Sequence, residues 1–261
     1  MHGIAYDAVH DEIVLPVYLA GAVLVFRGAA GGQEAPVRII QGPRTQLLRP
    51  ETVTLDETNN EIVVGDTARH SLSVFSRDAT GDISPLRMIE GPHTKLHQVH
   101  GVAVDSVHDL LVVSNINPRG VTGLLIFHRT DSGDVAPRAV IAGPHTGIIR
   151  IREVQVYPER GLIFAAVKNN KDSYNVHSRA PSPWDPNHVG FIGVWRITDD
   201  GDIPPYAIIK GPASGLVWPA GVALNPKEGE IYAIDSVRND LVTFLVPELF
   251  RNVASAETNP R

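Results

Sequence analysis

Two histidines, a glutamate and an arginine recur at one place in a repeated phrase of this 261-residue chain: His2, Glu51, His100 and Arg152, about fifty residues apart. Neutral imidazole and carboxylate together suit a divalent first-row metal such as zinc, iron or copper, with positions left open for substrate. Calcium, which prefers a shell of oxygens, suits them less. A metal on His2, Glu51 and His100 activates water or polarises a carbonyl, and Arg152 can hold a substrate anion through a bidentate pair. Glu51 and Arg152 are thus candidate catalytic groups as well. The same four residues also read as polar side chains hydrogen-bonded around water, with Glu51 neutralised by Arg152.

The elements that must position them are short strands. The phrase opens at His2-Gly-Ile-Ala-Tyr-Asp7, Glu51-Thr-Val-Thr-Leu-Asp56, His100-Gly-Val-Ala-Val-Asp105, Arg152-Glu-Val-Gln-Val-Tyr157 and Ala220-Gly-Val-Ala-Leu-Asn225. In the second copy, strands are expected at 52–56, 61–66, 72–75 and 86–90, each too short and too β-branched for a helix. Four copies close on Gly-Pro, at Gly42, Gly91, Gly143 and Gly211. A period of about fifty residues with four strands per copy predicts an all-β fold, a β-propeller whose blades stack around a channel. Five repeats are visible, about 1–48, 49–97, 98–149, 150–217 and 218–261, forming one domain of five or six blades. The last copy lacks its fourth strand, and an unpaired edge predicts self-association through that blade.

In a propeller the residue before each first-strand glycine stands at the channel mouth. The fourth copy carries an insertion over 168–190, and the strand order places that loop above the same mouth, where it can act as a lid. Its Tyr174, His177, Trp184 and His188, with His97 and Trp218 from the blade connections, are candidate pocket residues. Asp66, Asn115 and Asp235 end the second strands there, either orienting the histidines from behind or satisfying turn amides. His10 and His108 in equivalent Val-His-Asp turns, and His93 and His145 after Gly-Pro, repeat between copies and read as local structure. The Gly-Asp turns at 81, 133 and 201 lack the spaced ligands of a calcium loop and read as hairpin chemistry.

The Gly-Val-Ala-Val-Asp105 openings and Ile-Val-Val-Gly-Asp66 second strands, with Arg69-His70 or Arg238-Asn239 in the next loop, resemble NHL-repeat propellers across nearly the whole chain. The mouth column is similar to that of peptidylamidoglycolate lyases, where zinc histidines take such positions, and of gluconolactonase-like propellers. That resemblance implies metal ligation at His2 and His100; Glu51 and Arg152 depart from both patterns.

Composition excludes more than it selects. A formal charge of -6 and pI near 6.0 leave no basic footprint for nucleic acid. The absence of cysteine removes disulfides, thiolate metal sites and thiol nucleophiles, and is compatible with export, although no signal peptide is visible. No apolar run is long enough to cross a membrane, so the chain reads as soluble, with its compartment undetermined. Nucleophile elbows, phosphate loops and helical zinc motifs are missing. The expected function is a metal-dependent hydrolase or lyase acting on a small polar molecule at the mouth. The alternative is a non-catalytic propeller that binds a ligand or protein.

Overall fold

The computed structural model describes residues 3–168 and 189–251. Its strands fall into five sheets, in chain order. Blade 1 holds β1 (Ala5–Asp7), β2 (Glu12–Val17), β3 (Ala22–Arg27) and β4 (Arg38–Gln41). Blade 2 holds β5 (Pro50–Asp56), β6 (Glu61–Asp66), β7 (Ser71–Ser76) and β8 (Arg87–Ile89). Blade 3 follows with β9 (Gln98–Asp105), β10 (Leu110–Ile116), β11 (Gly123–His128) and β12 (Ala139–Ile141). Blade 4 is β13 (Arg150–Tyr157), β14 (Leu162–Lys168), β15 (Phe191–Arg196) and β16 (Ala207–Lys210). Blade 5 shows β17 (Pro219–Asn225), β18 (Glu230–Asp235) and β19 (Asp240–Leu245).

Each sheet is an antiparallel meander, because consecutive strands are joined by tight turns that let a strand fold straight back on its predecessor. The five sheets make a β-propeller, as the fifty-residue period predicts. β1, β5, β9, β13 and β17 pack in that order along the inner side.

Apolar side chains on both faces of the inner blades hold neighbours together. In β10, Leu110 and Val112 enter the core shared with blade 4, while Leu111 and Val113 enter the core shared with blade 2. That explains a continuous apolar run where a half-exposed strand would alternate. Trp195, Phe75, Phe127, Phe164 and Phe191 are the largest fully buried side chains, filling the space between sheets. At about 25 cal/mol per Å² of apolar surface removed from water, these inter-blade cores are the main stabilising element.

The repeated Gly-Pro serves inter-blade packing. Gly91 has φ +134°, and a Cβ there would come within 2.3 Å of the Asp134 side chain from the next blade. Asp134 accepts the His93 amide at 2.7 Å and meets His93 Nδ1 at 2.6 Å, and Asp202 does the same for His145 one blade later. Glycine is thus required for the approach, and these two histidines latch adjacent blades.

Candidate functional site

The first strands of blades 2 to 5 each contain one irregularity. Pairing of β5 with β6 skips from Pro50 to Thr52, β9 with β10 skips His100, and β17 with β18 skips Ala220. In β13 the register jumps between Ile151 and Val154. The mouth column Glu51, His100, Arg152 and Ala220 therefore lies at the bulges. A bulge adds a residue that is released from the ladder and re-aims its side chain. His2 and the inserted Tyr174, His177, Trp184 and His188 lie outside the described residues.

The bulges bring three of the predicted residues together. His100 Nδ1 lies 3.0 Å from Glu51 Oε1, and both side chains are 8% exposed. Arg152 Nη1 lies 3.2 Å from the same nitrogen. Nδ1 donates to Glu51 when it carries a proton and accepts from Arg152 when it does not, so the tautomer selects the partner. Gly101 lets β13 come close, since a Cβ there would sit 2.9 Å from the Arg152 carbonyl oxygen. The Ser114 hydroxyl donates to that same carbonyl and pins it.

Two cations missed in the sequence join this group. Arg150 and Lys168 are opposite partners at the mouth end of β13 and β14. Lys168 Nζ donates to Ser236 Oγ at 3.2 Å and lies 5.2 Å from the Trp218 ring centre. Burial, then repulsion from Arg152 and Arg150, lowers the Lys168 ammonium to about 8, with Asp235 opposing. Burial and Arg150 lower Arg152 to about 10, while Glu51 partly restores it. Among the described residues three cations crowd one desolvated site, with Glu51 and Asp235 as the carboxylates that act on them. Val167 stands where copies 2, 3 and 5 carry Asp66, Asn115 and Asp235, but Val17 does the same in copy 1, so the column does not single out Lys168.

Those three polar residues are occupied by the backbone. Asp66 accepts the amides of Leu48, Arg49, Ala68 and Arg69 at 2.6–3.0 Å. Asp235 accepts those of Val217, Trp218, Val237 and Arg238 at 2.6–3.1 Å. Asn115 accepts from His97 and donates to the Lys95 and Val121 carbonyls. They fix the connections that carry His97 and Trp218. His97 stacks on His70 with ring centres 4.4 Å apart, and burial together with His70 lowers its basicity.

Glu153, also missed, occupies the column that holds Gly3, Thr52, Gly101 and Gly221 in the other copies. It lines a cavity of about 200 Å³ with Gln155, Gly221, Tyr232, Ile234 and Ile4. Burial pushes its carboxyl up to about 8.

Among the described residues no group of three or more His, Cys, Asp or Glu side chains is placed to hold a metal ion. Among the described residues Glu51 and His100 are two of the three expected donors, with His2 outside them, and Arg152, Arg150 and Lys168 stand nearby.

No family model and no curated protein sequence matches the chain. Among solved structures it is similar to hydrazine synthase of Kuenenia stuttgartiensis, with TM-score 0.66 and 13% identity over 97% of this chain and 67% of that one. It is also similar to the WD40 β-propeller domain of Doa1, with TM-score 0.57 and 9% identity over 94% of this chain and 68% of that one. At such identities the likeness is one of fold alone, and the fold shared is the β-propeller.

Proposed function

We propose that the propeller binds a small anionic molecule at its channel mouth and acts on it as a hydrolase or lyase. The single observation carrying this reading is the buried Glu51–His100 pair flanked by Arg152, Arg150 and Lys168. Desolvated cations attract an anion strongly because little water competes for it. With Nδ1–H held by Glu51, the imidazole presents Nε2 as the base, taking a proton from water or from substrate carbon and returning it to the leaving group. An anionic substrate group drawing Arg152 toward itself favours the Nδ1–Glu51 bond, coupling binding to the basic tautomer. The resemblance to NHL-repeat propellers, and to peptidylamidoglycolate lyases in the mouth column, supports chemistry at this place in the fold.

The competing reading keeps a zinc, iron or copper ion on His2, Glu51 and His100. One experiment separates the two. Calorimetric titration with inorganic phosphate, on protein dialysed against chelator, is expected to give binding that Arg152→Gln weakens at least tenfold. Phosphate binding only after one equivalent of zinc, iron or copper is added would support the metal reading. No phosphate binding in either state leaves a protein-binding propeller and overturns both.

A further inference from the structure

Blade 4 buries a lysine where no other blade has one. Strand β14 ends on Lys168, and the same place in the other copies holds Tyr18, Thr67, Ile116 and Ser236. The side chain is buried, yet among the described residues its one hydrogen bond goes to the Ser236 hydroxyl at 3.2 Å. Asp235, the carboxylate that acts on it, spends both oxygens on four backbone amides. Among the described residues, then, no salt bridge accounts for the burial. An ammonium buried with one neutral acceptor beside two guanidiniums gives up its proton readily, and the amine that remains offers a lone pair. That is the state a nucleophilic lysine needs.

What surrounds the amine selects the electrophile. Arg150 is the cross-strand partner of Lys168, and Arg152 follows at the bulge of β13, so two guanidiniums lie beside the amine. They suit a carboxylate, which a guanidinium binds through paired donors. Trp218 has its ring centre 5.2 Å from Nζ, and its buried indole N–H has no acceptor among the described residues. A donor left unpaired in a buried place is costly, and a carbonyl oxygen arriving beside Nζ would satisfy it. A ketone next to a carboxylate answers both features.

We infer that Lys168 forms an imine with an α-keto acid, whose carboxylate Arg150 and Arg152 hold and whose keto oxygen accepts from Trp218. The substrate class is thereby narrowed within the anion-binding reading proposed above, on which this assignment rests. The amine lone pair attacks the keto carbon as the C=O pair moves onto oxygen. Both amine protons then leave with that oxygen as water, and one proton from solvent makes the C=N bond an iminium. The iminium draws electrons from the bond beside it, with His100 accepting the proton released, which is the chemistry of a lyase. No oxidant or reductant is consumed.

Trapping the imine tests this. The 261-residue chain is incubated with pyruvate at about pH 8 and with sodium cyanoborohydride, which reduces iminium ions ahead of ketones, and the product is mapped by peptide mass spectrometry. One reduced pyruvate adduct is expected on Lys168, with the exposed Lys95, Lys210 and Lys227 left unmodified. Acetone, which has the carbonyl without the carboxylate, should leave Lys168 unmodified as well. Arg152→Gln and Trp218→Phe should each slow trapping about tenfold, the second because it keeps the ring and removes the donor. Because the adduct is mapped on the unaltered chain, the result does not depend on whether a variant folds. Three results overturn the proposal: no adduct on Lys168, equal labelling of the exposed lysines, or labelling by acetone as fast as by pyruvate. Phosphate binding without any adduct overturns the imine alone and leaves the anion site standing.

Discussion

Two histidines of blade 3 sit at opposite ends of the channel and do opposite work. His108 bonds to Asp105 three residues earlier at 2.9 Å, and His10 repeats that bond to Asp7 at 2.8 Å in blade 1. His100 instead meets Glu51 from blade 2 and Arg152 from blade 4, partners 49 and 52 residues away. The first arrangement is a turn, complete within one hairpin and copied with it. The second exists only once blades have assembled, and nothing in the repeat requires it. A polar group whose partners recur from copy to copy reports the fold, even between blades as at His93 and His145, whereas one whose partners do not recur marks a candidate site.

The largest expected effect concerns the residues that frame the mouth. Asp66→Ala or Asp235→Ala leaves four backbone amides without their acceptor, and each should cost roughly 3 kcal/mol of unfolding free energy in urea titration. A loss of phosphate binding at unchanged stability would move these aspartates from the frame into the site.

His100→Ala should weaken phosphate binding about tenfold, near 1.4 kcal/mol, while His108→Ala leaves it unchanged. Equal effects of the two variants on binding would erase the distinction between the ends. Lys168, about 8 when folded, is charged below that pH and neutral above it. Phosphate affinity should therefore fall as pH rises through 8, and Lys168→Met should flatten that profile in calorimetry from pH 6.5 to 9.5.

Glu153 gives a smaller signal in stability. Its folded carboxyl, raised from 4.5 to about 8, holds a proton that the unfolded chain releases, so stability declines as pH rises across that interval. Glu153→Gln should remove the decline and gain roughly 1 kcal/mol at pH 8.5 in thermal unfolding. The smallest effect belongs to the turn: His108→Ala should cost less than about 1 kcal/mol, because its ring is half-exposed and its bond to Asp105 is local.

Much of the fold was legible because the repeat is periodic. The expected strands at 61–66 and 72–75 match β6 and lie within β7, since apolar β-branched runs bounded by turn residues leave little choice. The mouth column was legible for the opposite reason: Glu51, His100 and Arg152 are where the copies differ. Lys168 and Arg150 were not legible, because their meeting depends on the register of β13 against β14. The bulges were equally hidden, since a strand with one extra residue has the same composition as one without. Ile234 and Leu241 read like their buried counterparts in other blades, so the exposed face of blade 5 could not be told from a covered one.

The sequence by itself determined the blade, its four-strand pattern, its Gly-Pro junctions and the column where the copies diverge, because these depend on local alternation and turn chemistry. Tertiary structure decided what that column meets. Only inter-blade packing places a carboxylate and an imidazole within 3.0 Å across 49 residues, gathers three cations beside them, and, among the described residues, leaves Ile234 and Leu241 of blade 5 exposed. Charge, desolvation and exposure arise between blades, and no single copy of the repeat contains them.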